Sequence, residues 1–318
     1  MWGFLLVMTE NISVGSVYVA APGFESVLQK ELERLGVTPA FWHGRLAVCE
    51  APPVASVWAL DIWTSPEIHT IVSIGEAARL LKSRQRNWSL VPVEFFRRAA
   101  LIVDKLPPVK AAPLVFPQLP PTSPLGGWTL LAPDRILFSQ AKTSPFPMGE
   151  VKFVEDREGP PSRAYLKLWE ACTRLGCWPV PGETCLDLGA TPGGWTWAIA
   201  KLGASVTAVD RAPLSPSVAA MPGVSFRQES AFGLEPRNEA RVDWLFSDVI
   251  AYPERLLTLA KRWIEAGRTA RIVMSVKFQG ETDFAILDQF AAIPGARLAH
   301  LFHNKHEVTF FWSENGIF

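Results

Sequence analysis

The stretch Cys185-Leu-Asp-Leu-Gly-Ala-Thr-Pro-Gly-Gly-Trp-Thr-Trp197, followed closely by Ala204-Ser-Val-Thr-Ala-Val-Asp210, decides the fold. An apolar run carries Asp187, and three glycines (Gly189, Gly193, Gly194) let the backbone turn sharply and approach a ligand. A helix is predicted from about Trp195 to Leu202, and a second apolar run then ends in Asp210. Strand, glycine loop, helix, strand and acid in that order make one βαβ unit of a doubly wound sheet, which binds ligands beyond the carboxyl ends of its strands. The expected fold class is α/β, with a Rossmann-like domain here and a smaller α/β domain before it.

The loop also selects a ligand class. A dinucleotide fingerprint is G-x-G-x-x-G, with backbone amides packed on a pyrophosphate. Here Ala190, Thr191 and Pro192 interrupt that spacing, and proline has no amide to donate. A nicotinamide dinucleotide is the rival reading, and a ligand without a pyrophosphate suits the loop better. S-adenosyl-L-methionine is expected, with Asp187 toward its cationic amino-acid end and Asp210 toward the ribose hydroxyls. Gly189, Ala190, Pro192, Gly193, Gly194 and Trp195 are expected to form the rest of the cradle.

Four separated polar residues add chemistry to the cradle. Lys167 lies in Ser162-Arg-Ala-Tyr-Leu-Lys-Leu-Trp-Glu-Ala171, and Asp248 ends Val242-Asp-Trp-Leu-Phe-Ser-Asp248. Lys277 ends Arg271-Ile-Val-Met-Ser-Val-Lys277, and Glu307 opens Glu307-Val-Thr-Phe-Phe-Trp312. Alone, a lysine at a strand end is ordinarily a solvated terminus. In a doubly wound sheet, however, strand ends converge on one face, so Asp248, Lys277 and Glu307 are expected near the methyl donor.

In this order around this loop, Lys167, Asp248, Lys277 and Glu307 make the chain resemble the FtsJ-like ribose 2′-O-methyltransferases. The resemblance covers roughly residues 127 to 312 and is strongest in Ser162–Ala171, Gly193–Trp197 and Asn304–Thr309. It implies a catalytic Lys-Asp-Lys-Glu tetrad, with Lys277 the family's base, Asp248 also near the cofactor, and RNA as substrate. That RNA would be ribosomal, naked or in an early precursor. Relatives usually place an aspartate for the adenine amine where this chain has Ser230, so Glu229 or a backbone carbonyl is expected to take that place, with Glu229 and Ser230 both counted in the cofactor site. A non-catalytic RNA-binding or ribosome-assembly protein that kept the fold, and an enzyme acting on another RNA, are the alternatives.

Other methylation chemistries fit less well. Methylation of exocyclic amines favours Pro-Pro and an aromatic after the fourth strand, where this chain has Ser247-Asp-Val-Ile-Ala-Tyr-Pro253. Carbon-5 methylation of cytosine needs a cysteine near that strand, and the last cysteine is Cys185.

Outside the cradle, Ser16–Ala21 reads as a strand, Gly23–Leu35 as an amphipathic helix, and residues 38–50 as a strand pair turning near His43-Gly44. These suggest a ferredoxin-like RNA-binding domain over residues 1–105. A proline-rich connector is expected over 106–127 and the methyltransferase domain over 128–318, led by a hairpin turning at Pro133-Asp134. Net charge is zero, with 31 basic and 31 acidic residues, but the segment from Arg79 to Lys110 gathers Lys82, Arg84, Arg86, Arg97, Arg98 and Lys105 among Trp88, Phe95 and Phe96. Basic side chains can track phosphates while aromatics stack unpaired bases.

The four cysteines show no C-x-x-C spacing and read as reduced thiols of a cytoplasmic protein. His303 and His306 flank Glu307 without H-E-x-x-H spacing, so no metal site is expected. Trp2–Met8 is apolar but too short to span a bilayer and has no basic flank; it reads either as an upstream start with Met8 the initiator or as a disordered lead. No membrane association is expected.

Overall fold

The computed structural model describes residues 13–109 and 111–316; the Trp2–Met8 lead and Lys110 lie outside them. The chain divides into two compact units: residues up to 111 with 121–150, and residues 112–120 with 151 onward.

The first unit holds β1 (Ser16–Ala20), α1 (Glu25–Arg34), β2 (Pro39–His43), β3 (Leu46–Cys49), β4 (Ala59–Trp63), β5 (Pro66–Thr70), α2 (Ile74–Arg84), β6 (Trp88–Leu90), α3 (Phe96–Val103), β7 (Gly126–Ala132) and β8 (Arg135–Ser139). One sheet has the order β2-β3-β1-β4, with all neighbours antiparallel. This is the strand order of a split βαβ plan, with α1 as the first crossover and a helix-free stretch between β3 and β4 in place of the second. The other sheet has the order β5-β8-β7-β6. Its β7–β8 hairpin turns where the sequence places Pro133-Asp134, and Trp128, Leu130, Ile136 and Phe138 from it pack with Ile71, Leu81, Trp88, Ala99 and Ile102.

The hairpin thus belongs to the first unit and does not lead the second, as the expected boundary at residue 128 had it. The physical reason is edge pairing: β8 takes β5 along one side, and β7 takes β6 along the other. The proline-rich stretch is also more than a connector. Leu114 bridges Phe153, and Phe116 stacks on Trp169 with ring centroids 5.0 Å apart. Residues 112–120 therefore pack on the second unit through Leu114 and Phe116, while Val115 and Leu119 stay exposed.

The second unit holds α4 (Tyr165–Leu175), β9 (Thr184–Leu188), α5 (Gly194–Lys201), β10 (Ser205–Asp210), α6 (Pro216–Ala219), β11 (Val224–Gln228), β12 (Val242–Ser247), α7 (Pro253–Ala266), β13 (Thr269–Lys277), α8 (Phe284–Ala291), β14 (Ala296–Ala299) and β15 (Glu307–Ser313). The strand order is β11-β10-β9-β12-β13-β15-β14. The first five strands are parallel, and β15 runs antiparallel to both of its neighbours. From β9 the chain winds outward through β10 and β11, then returns to β12 on the other side of β9. That reversal opens a crevice beyond the carboxyl ends of β9 and β12, where a ligand site is expected. Among the described residues no helix is long and apolar enough to cross a membrane.

Candidate active site

A cavity of about 390 Å³ lies at that crevice. Asp187, Gly189, Ala190, Thr191, Pro192, Gly194 and Trp195 come to it from β9, the glycine loop and α5, and Asp210 from the end of β10. Asp248, Val249 and Ile250 come from beyond β12, Lys277 from the end of β13, and Ser162 and Ala164 from just before α4.

Two glycines make the approach possible. Gly189 has φ +78°, and a Cβ there would stand 2.5 Å from the Val249 side chain, so the loop seats against the segment after β12 only because that atom is missing. Gly193, at φ +114°, precedes the first turn of α5 in a conformation that L side chains rarely adopt. The same loop consumes its own amides. Gly189 and Ala190 donate to the Val209 carbonyl and Thr191 donates to Asp210 Oδ2 at 3.0 Å, while Pro192 has no N–H. The Gly189, Ala190 and Thr191 amides are thus engaged within the protein, which agrees with the ligand class read from the loop.

Asp187 is 1% exposed, yet it borders the cavity. Thr196 Oγ1 donates to its Oδ2 at 2.6 Å, while Oδ1 has no partner among the described residues. Burial pushes the carboxyl up to about 7, against the Thr196 hydrogen bond. A buried acceptor left unmade is costly, so this atom calls for a donor from the cavity, and an ammonium group supplies one. Asp210 is oriented by the Thr191 and Ala212 amides, the latter donating to Oδ1 at 3.1 Å. An amino-acid end at Asp187 and a ribose at Asp210 thus fit S-adenosylmethionine. Glu229 and Ser230 do not border this cavity. Arg227 Nε donates to Glu229 Oε1 at 2.5 Å, and Arg211 donates to the Ser230 hydroxyl at 3.3 Å, so both are engaged at the far end of β11.

Lys167, Asp248, Lys277 and Glu307 come together. Lys167 Nζ lies 2.6 Å from Asp248 Oδ1 and 3.1 Å from Glu307 Oε1. Lys277 Nζ lies 3.1 Å from Asp248 Oδ1 and also donates to the Asp248 carbonyl. Lys277 and Glu307 are direct cross-strand partners in the antiparallel β13–β15 pair. Asp248 and Lys277 face the cavity, whereas Lys167 and Glu307 stand behind them. Burial opposes the Asp248 charge, but Lys167 and Lys277 outweigh it and hold the carboxyl below its ordinary value.

Two positioning residues carried no role in the sequence reading. Thr196 fixes the Asp187 rotamer. Glu170, fully buried and three residues after Lys167 on α4, accepts from the Phe302 and His303 amides at 2.9 and 3.0 Å and pairs with His303 Nδ1 and Arg174. Burial opposes its charge, but Arg174 and His303 hold its carboxyl down at about 2. It thereby ties the segment that leads into Glu307 to the helix that carries Lys167. The i,i+3 spacing from Lys167 was the available signal.

In the first unit, the basic stretch keeps only part of its expected character. Trp88 is 5% exposed and belongs to the core, and Phe95 packs against that core, so neither is free to stack bases. Phe96, at 64% exposure, is open to solvent, as are Arg86 and Arg97. Arg84 is paired with Glu67 at 2.9 Å, and Arg98 is half-buried.

Residues 160–288 match the model of the FtsJ-like methyltransferase family. The ribosomal RNA large subunit methyltransferase M of Halorhodospira halophila is 39% identical over 160 residues, which cover 48% of this chain and 46% of that protein. The protein of the same name from Alkalilimnicola ehrlichii is 35% identical over 179 residues, covering 52% and 49%. The chain spans about half the length of the curated relatives it matches. The match to the FtsJ-like methyltransferase family model thus falls on the Rossmann-like sheet and takes in Lys167, Asp248 and Lys277, with Glu307 beyond it.

Proposed function

We propose that this chain transfers a methyl group from S-adenosylmethionine to a ribose 2′-hydroxyl of RNA, with ribosomal RNA of the large subunit as the substrate and the cytoplasm as its place of action. The observation that carries the reading is the tetrad: Lys277 and Asp248 on the cavity wall, with Lys167 and Glu307 fixing them from behind. The names of the relatives support the choice of RNA.

The cofactor supplies a methyl group made electrophilic by a sulfonium. The protein has two tasks: to bring the hydroxyl into line within near-attack distance and to give its proton a way out. Lys277 Nζ is placed to hold the hydroxyl oxygen, because Asp248 fixes the ammonium through both its carboxylate and its carbonyl. Asp248, held below the ordinary carboxylate range, is ionised at neutral pH and is the nearest anionic acceptor. With the methyl group passing from the sulfonium, S–CH₃ broken for O–CH₃ and S-adenosylhomocysteine as the leaving group, the ribose oxygen would become strongly acidic, and the Asp248 carboxylate beside Lys277 would receive its proton. Lys167 neutralises the second carboxylate, Glu307, so the site holds two acids and two bases in a compact, mutually compensated group.

Single-turnover methyl transfer to in vitro transcribed large-subunit ribosomal RNA, followed by nuclease digestion and mass spectrometry, tests the proposal. Wild type should place the methyl on a ribose, and Lys277→Ala should slow the step on the order of 10²-fold or more while still binding cofactor. A methyl found on a base, or a Lys277→Ala rate equal to wild type, overturns the reading. Folded wild type that binds cofactor and the transcript but transfers nothing points to the non-catalytic alternative.

A further inference from the structure

The segment after Asp248 combines two properties that rarely coincide. Its start is pinned: Val249 packs where a Gly189 Cβ would be, and the Tyr252 carbonyl accepts the Arg255 and Leu256 amides at the start of α7, at 3.0 and 3.3 Å. Yet its large apolar side chains point outward. Ile250 is 76% exposed and Tyr252 61%, on either side of buried Ala251. Ile250 is also part of the cavity wall that carries Asp248 and Lys277. Ile250 on the cavity wall and Tyr252 two residues further along the chain thus present an aliphatic and an aromatic side chain to solvent.

We infer that Ile250 and Tyr252 form the platform on which the base of the target nucleotide, unpaired, is seated while its ribose hydroxyl reaches Lys277. The inference rests on the proposed ribose methylation and names the substrate contact that reaction needs. A ribose held at Lys277 carries its base one glycosidic bond away, so the base must lie at or just outside the mouth of the cavity. Unpaired bases are bound by stacking on aromatic and apolar side chains, which accept any base because each has a π-face. A protein segment left apolar and exposed, continuous with the cavity wall and fixed by backbone hydrogen bonds, supplies such a surface without a rearrangement on binding.

The test uses the full chain, S-adenosylmethionine and the large-subunit ribosomal RNA transcript. Tyr252→Ala should raise the KM for RNA about tenfold, the scale of losing one base–aromatic stack, with most of the loss in KM and not in kcat. Tyr252→Phe should restore the wild-type KM, because the ring and not the hydroxyl makes the contact. A photo-reactive benzoylphenylalanine at position 252 should cross-link the transcript at, or next to, the methylated nucleotide. The platform is overturned if Tyr252→Ala leaves KM unchanged in a preparation whose wild type methylates RNA, or if the cross-link maps elsewhere on the transcript or to protein. A wild type that transfers no methyl to any ribose condemns the underlying reading, and the cross-link then reports the RNA contact by itself.

Discussion

Asp187 shows how much one atom can determine. Its Oδ1 is buried without a partner among the described residues at a side chain that borders the cavity, and burial has raised the carboxyl to about 7. Because the folded-state value lies above the ordinary one, the free protein carries Asp187 protonated below that pH, and a cationic ligand needs it ionised. Affinity for S-adenosylhomocysteine, a stable probe with the same amino-acid end, should therefore rise about tenfold between pH 6 and pH 8. That factor is the change in ionised fraction for a group titrating at about 7. Calorimetry across this range checks it; a flat profile in wild type would detach Asp187 from the ligand. Thr196→Val should weaken the same binding, since it removes the hydroxyl that fixes the carboxylate at 2.6 Å. Spacing had placed Asp187 and Asp210 in the cradle, but not the Thr196 contact, because a hydroxyl one helical turn away reveals its target only once the helix has been docked.

Among the elements, α4 links the two halves of the tetrad. It carries Lys167 toward Asp248 and Glu307 and, three residues on, Glu170 toward the segment at Phe302 and His303. Glu170→Ala should destabilise the protein by about 3 kcal/mol or more, the cost of leaving partners of a buried ion pair uncompensated. It should also slow methyl transfer through the displacement of Glu307. Its carboxyl is held down at about 2, below the ordinary 4.5, so its contribution is present above pH 4.5 and is lost as pH falls toward 2. Thermal melts of wild type and Glu170→Ala should accordingly differ most above pH 4.5 and converge in acid. The glycine loop, α5 and the strand pair β9–β10 were legible as elements, since apolar runs and glycines set them locally. The β7–β8 hairpin was legible as a hairpin but not in its allegiance, because edge pairing with β5 and β6 is a long-range choice.

For the molecule as a whole, zero net charge hides a local distribution. We propose that the first unit grips RNA, with the exposed side chains Arg86, Phe96 and Arg97 as its contacts. Replacing Arg86 and Arg97 by Ser should lower affinity for the transcript and reduce the slope of log affinity against log salt by about 0.7 per charge. That is the counterion-release scale for single strands. Cofactor affinity should stay as in wild type. Nitrocellulose binding at four salt concentrations measures this, and an unchanged slope removes the patch from the RNA interface. Trp88 was expected among these contacts and lies in the core, because its side chain fills space between α2 and the hairpin; sequence proximity to arginines carries no information about which face a ring takes.

By itself the sequence determined the α/β class, the order of the cradle and three polar residues at strand ends with Lys167 ahead of the cradle, because each of these follows from local periodicity, glycine placement and one rule of chain winding. The tertiary structure alone decided that Lys277 and Asp248 face the cavity while Lys167 and Glu307 stand behind them. It alone turned Glu229 toward Arg227, folded residues 112–120 onto the second unit and exposed Ile250 and Tyr252. Those outcomes depend on which side chains compete for the same buried volume and the same hydrogen-bond partners, and that competition is set between segments far apart in the chain.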